Sequence, residues 1–103
     1  MLNNLYTIIS STQDKVIIKL ADKNHPIFKA HFPDNPILPG FLQLDIISNI
    51  LDNKIKSIKY SKFIKHILPE DIIEYNLKIV KKEYRIVINR DDKKISEIKY
   101  ESM

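Results

Sequence analysis

A chain of 103 residues, 44% hydrophobic and 29% charged, has the length and balance of one globular domain, 1–103, and not of a disordered tail. It contains no cysteine, which excludes a disulfide framework and thiolate chemistry, and no apolar run of membrane-spanning length. The net charge of +4 comes mostly from scattered lysines; with no basic block or helix-turn-helix signature it does not indicate nucleic acid, leaving solvated strand faces or steering of an acidic partner.

The opening MLNNLYTIIS lacks a basic segment followed by a long apolar one, so no signal peptide is predicted and a cytoplasmic location is expected. Leu5 to Ser10 and Lys15 to Leu20 alternate as two paired strands. The next segment, His25 to Gly40, holds four of the five prolines, two of the three histidines and the only glycine. Prolines 26, 33, 36 and 39 fix φ and remove donors, so a stiff non-helical loop is expected there. It delivers the chain to FLQLDIISNILDN, Phe41 to Asn53, whose apolar residues fall on nearly every side of a helical wheel and predict a buried helix. Ser57 to Ile67 reads as a further strand ended by Pro69-Glu70-Asp71. Three more follow at Ile73 to Ile79, Tyr84 to Ile88 and Ile95 to Tyr100, with turns at Lys81 and across NRDDKK. One helix among five or six strands predicts an α+β fold with a curved antiparallel sheet wrapped around the helix.

Chemistry concentrates where loop meets helix. Asp45 lies one turn into the helix, where burial would favour its protonated form, as a general acid requires. His31, on the loop, has the side chain whose charge changes near neutrality. Facing one apolar cavity, the two would form an acid–base pair; the competing reading has Asp45 facing solvent or capping backbone. Gly40 stands at the helix start, where a free N–H and the helix dipole can hold a carbonyl oxygen that gains negative charge. His25 precedes a proline and reads as loop rim. Three scattered histidines make no zinc site, so no metal is expected. A single glycine excludes dinucleotide and phosphate-loop fingerprints, and Ser10-Ser11 lacks a nucleophile-elbow setting.

The stretch His31-Phe32-Pro33-Asp34-Asn35-Pro36-Ile37-Leu38-Pro39-Gly40 resembles, without gaps, the HFPGxPxxPG signature of the β-hydroxyacyl-ACP dehydratases, the hotdog enzymes of fatty-acid synthesis. Asp45 stands at the position of the family's acid, and Asn49 where glutamine is frequent. KFIKHILPED, Lys62 to Asp71, is similar to the family's strand ending in Pro-Gly-Asp, and the short chain with its leading HPIF resembles the small dehydratases of aryl-polyene pathways. Ala30, Asp34 and Glu70 replace glycines usual in the pattern.

The resemblance implies a hotdog fold, pairing of two subunits edge to edge, and sites at their interface that take histidine from one subunit and the acid from the other. His31 would remove the α-proton of a β-hydroxyacyl thioester and Asp45 would protonate the departing hydroxyl, giving a trans-2-enoyl thioester and water. Gly40, Phe32, Pro39, Phe41 and Asn49 would line the substrate site, with Asn49 orienting Asp45 from one turn away. Lys62 and Lys65 would receive an acidic acyl carrier protein. The resemblance implies no cofactor, and a strained His31–Phe32 peptide. A homodimer, a higher oligomer and a heterodimer all fit it, as do two other activities on this fold: thioester hydrolysis, and acyl binding or half-site donation without catalysis.

Overall fold

The alternation read from the sequence becomes six strands and two helices in a computed structural model of the chain, described here for residues 3–31 and 34–103. In chain order these are β1 (Tyr6–Ser11), β2 (Lys15–Leu20), α1 (Pro26–Ala30), α2 (Gly40–Leu51), β3 (Ile55–Phe63), β4 (Ile72–Val80), β5 (Glu83–Arg90) and β6 (Lys93–Ser102). The strands form one antiparallel sheet in the order β1-β2-β4-β5-β6-β3. Its inward face is set by two-residue spacing: Val16, Ile18 and Leu20 of β2, Ile73 and Tyr75 of β4, Ile86 and Ile88 of β5, and Ile98 and Tyr100 of β6 are all buried. The outward face is a lattice of lysines and carboxylates, with Lys15 paired to Glu74 and both Lys56 and Lys59 to Glu101. Those lysines are therefore solvated-face residues. Among the described residues no helix is long and apolar enough to cross a membrane.

The hairpin turns need backbone that few residues adopt readily. Asp91 and Asp92, between β5 and β6, both have positive φ (53° and 63°), the arrangement that joins twisted strands through two residues. Glu70, where the dehydratase pattern has glycine, also lies in the left-handed region (φ 66°) and bears a cost of about 1–2 kcal/mol for its Cβ.

Three expectations need correction. The proline-rich stretch is not wholly non-helical: Pro26 opens the short helix α1 at the one position where its missing N–H does no harm. His25 caps that helix, its Nδ1 accepting from the Ile27 amide at 3.1 Å while its Nε2 donates to the Asn3 carbonyl at 2.8 Å. Five residues cannot hold a helix alone. Burial of Ile27 and Phe28, at about 1.5–3 kcal/mol per side chain, fixes α1 against the core. Second, β3 stops at Phe63 and not at Ile67, because the Ile64 and Lys65 amides both turn to the Ile95 carbonyl, after which Ile67 bridges to Leu38.

The third correction concerns α2. It buries Leu42, Gln43, Ile46 and Ile47 against the sheet, but Phe41, Asp45 and Asn49 are exposed. An open sheet covers one side of a helix, so among the described residues Phe41, Asp45 and Asn49 are left on the uncovered side, while Leu44, Ile50 and Leu51 still pack against the core.

Candidate active site

His31 is delivered by α1. It follows the last residue of that helix in extended backbone, and its Nδ1 lies 2.9 Å from the Ile27 carbonyl oxygen. A carbonyl only accepts, so Nδ1 is the donor in this contact, the arrangement in which Nε2 is the nitrogen able to hold a lone pair. The ring is half-buried and meets Phe41 edge-on, with centroids 6.5 Å apart and planes at 73°. Phe41 is the second residue of α2, and Asp45 and Asn49 follow at four-residue steps on the same face. His31 therefore sits at the N-terminal end of a row in which Asp45 is one turn along.

Asp45 is exposed and not buried as the sequence suggested, because it lies on the uncovered side of α2. The Asn49 amide donates to the Tyr6 hydroxyl at 2.6 Å, so the hydrogen bond it makes here goes to β1 and not to Asp45. Neither alternation nor spacing points from Asn49 to Tyr6; the link arises only when β1 is laid beside α2. Below this level a small recess between α2 and strands β2 and β4 is lined by Val16, Ile47, Ile50, Leu51, Leu77 and Tyr75. Burial pushes the Tyr75 phenol far up, with the neighbouring Tyr6 adding to the shift, so Tyr75 stays neutral.

Gly40 is the first residue of α2. The preceding Pro39, half-buried, caps the helix without a side-chain hydrogen bond, and its carbonyl accepts from the Leu42 amide at 3.0 Å. The glycine is not needed for a left-handed backbone, since no glycine here has positive φ. It is needed for close approach: a Cβ on Gly40 would lie 2.9 Å from Cε2 and 3.0 Å from Cδ2 of Phe63, at the end of β3. Phe63 is thus a site neighbour that the sequence reading missed, because nothing in SKFIK marks which residue crosses to the helix start. Gly40→Ala is expected to displace the half-exposed Phe63 ring at a stability cost of about 1 kcal/mol. Adding Phe63→Leu should recover most of that loss in urea denaturation.

Lys62 and Lys65 are both exposed at the same end of β3. Lys62 stands in register with Glu97, a buried carboxylate gripped by Tyr60, Lys94 and, at 2.9 Å, Arg85. Phe32, expected to touch substrate, and the His31–Phe32 peptide lie outside the described residues. Among the described residues, no three potential ligand side chains stand close enough to hold a metal ion.

A helix laid across the concave face of an antiparallel sheet is the hotdog arrangement, as the sequence suggested, and solved hotdog structures share it. The dehydratase heterocomplex ApeI:P from Xenorhabdus doucetiae aligns with a TM-score of 0.74 at 23% identity, over 94% of this chain and 96% of that one. Thioesterase superfamily member 2 from Mus musculus aligns at 0.63 and 13%, over 98% and 83%. At such identities the likeness is one of fold. The chain belongs to the ApeI-like family, described as ApeI dehydratase, whose profile matches residues 8–99. Among curated relatives, the 3-hydroxyacyl-acyl-carrier-protein dehydratase FabZ of Streptococcus suis is 27% identical over 95 residues, covering 79% of this chain and 68% of the relative. The FabZ of Thermoanaerobacter sp. is 35% identical over 54 residues, 52% of this chain and 38% of that protein.

Proposed function

We propose that the chain dehydrates a β-hydroxyacyl thioester presented by an acyl carrier protein, releasing water and a trans-2-enoyl thioester. His31 Nε2 takes the α-proton, Asp45 returns a proton to the leaving hydroxyl, and a first-turn N–H at Gly40 holds the thioester oxygen as charge develops on it. Phe41, Pro39 and Phe32 line the path of the substrate. Lys62 and Lys65 supply positive charge for the acidic carrier. Two copies assemble along β3, so that the uncovered side of α2 in one copy meets His31 of the other.

One observation carries this reading beyond family membership: the Ile27 carbonyl holds the His31 proton on Nδ1, which leaves Nε2 as the basic atom. A general base needs one unprotonated ring nitrogen free of backbone partners, and this contact supports that role for Nε2.

The test is to incubate the purified protein with a trans-2-enoyl thioester on carrier protein, following loss of the enoyl absorbance and release of free thiol. Hydration without thiol release is the expected result. Thiol release would make the protein a thioesterase. Neither change would remove catalysis by this chain alone and leave donation of a half-site to a second hotdog subunit, tested by co-purification.

A further inference from the structure

Both arms of the site depend on the short connection from His66 to Asp71, and one side chain grips that connection. Arg90 is the last residue of β5 and follows Ile86 and Ile88 at two-residue spacing, so it leaves the strand on the inward face, at the rim. Its Nη1 donates to the His66 carbonyl at 2.8 Å and to Asp71 Oδ2 at 2.5 Å. The same Asp71 oxygen accepts from the Leu68 amide at 2.8 Å. Ile67 is therefore held from both sides, and it receives the Leu38 amide at 2.8 Å, two residues before Gly40.

The other arm starts from the same turn. The Asp71 carbonyl accepts from the Leu20 amide at 2.9 Å, and the Glu70 amide donates to the Ala21 carbonyl at 2.9 Å. Leu20 ends β2 and Ala21 follows it, and the chain then runs through α1 to His31. The ion pair is well shielded, with the two side chains 22% and 19% exposed, so it is screened less than the lysine pairs of the outer face.

We infer that Arg90 is a positioning residue: through Asp71 and the His66 carbonyl it sets the segment bearing His31 and the helix start at Gly40 relative to each other. The inference rests on the dehydratase reading for its catalytic consequence, but its structural part does not. A misplacement of catalytic groups by about 1 Å can cost up to about 100-fold in rate. A lysine cation can keep the Asp71 contact but lacks the planar guanidinium that aims one nitrogen at both acceptors, so lysine should rescue in part.

The experiment compares wild type with Arg90→Met, Arg90→Lys, and Lys15→Met as a control that removes an outer-face ion pair. It reads kcat and KM for enoyl-thioester hydration together with amide hydrogen exchange. Arg90→Met is expected to lower kcat about 10- to 100-fold with KM little changed. It should speed exchange at Leu38, Leu20 and Glu70 at least about tenfold, while the Ile86 and Ile98 amides keep their protection. Arg90→Lys should recover part of both effects, Lys15→Met should change neither, and adding Asp71→Asn to Arg90→Met should cost nothing further. Unchanged kcat and unchanged exchange at those three amides would overturn the inference; so would equal loss of protection across the whole sheet, which is a plain stability effect. A wild type without hydration activity would instead defeat the dehydratase reading, and the exchange pattern would then decide the Arg90 inference by itself.

Discussion

Replacing His31 with alanine is expected to lower enoyl-thioester hydration by at least about 100-fold, the ordinary weight of one positioned proton carrier. In the barrier this is about 2.7 kcal/mol. The fold should lose far less. Among the described residues the ring makes one hydrogen bond, to the Ile27 carbonyl, and an edge contact with Phe41, while α1 is held by Ile27 and Phe28, which the substitution does not touch. One hydrogen bond of this kind is worth about 0.5–1.5 kcal/mol, so the circular dichroism spectrum and the subunit pairing should persist. Asp45→Asn is the sharper of the two substitutions. The residue is exposed in the single chain and the replacement has the same shape, so folding should be nearly indifferent while the rate falls by a similar factor. A rate near wild type in either variant would take that side chain out of the mechanism.

How much of this was open to reading in advance depended on the range of the interactions involved. Strands β2, β4 and β5 were legible because each buries one face, and a half-buried strand shows its period directly. The acid–base candidates were suggested by one short stretch: His31 opens the run of prolines ending at Gly40, and Asp45 lies five residues beyond it. What could not be read was set by contacts across the fold. Asp45 was expected to be buried because the α2 sequence is apolar all round, yet a helix can be apolar on a side that only a second chain covers. Pro26 looked like a breaker until His25 supplied the cap that makes it a start. Arg90, Asp71 and Leu38 are far apart in sequence, and no local pattern ties them together.

The second prediction with a large effect concerns that missing cover. β3 is an edge strand: one side bonds to β6 and, among the described residues, the other side has no partner. It is nine residues long, and Ile58, Tyr60, Phe63 and the following Ile64 are all more than 40% exposed. These apolar residues alternate with Lys56, Lys59 and Lys62, and an unpaired edge strand is a template for another strand where such charges can be accommodated. Phe63 joins this edge directly to Gly40, so whatever pairs with β3 also approaches the helix start and the uncovered side of α2. Ile58→Lys with Ile64→Lys should therefore yield folded monomers by light scattering, with hydration at least about 100-fold lower where, as proposed, each site takes His31 from one copy and Asp45 from the other. Mixing tests the division of labour between copies. His31→Ala and Asp45→Asn subunits, each inactive alone, should on refolding together recover about a quarter of wild-type activity. Half of the dimers formed at random are mixed, and each mixed dimer rebuilds one of its two sites. If mixed dimers form and no activity returns, His31 and Asp45 must serve within one chain, and the cover over α2 would then only exclude water.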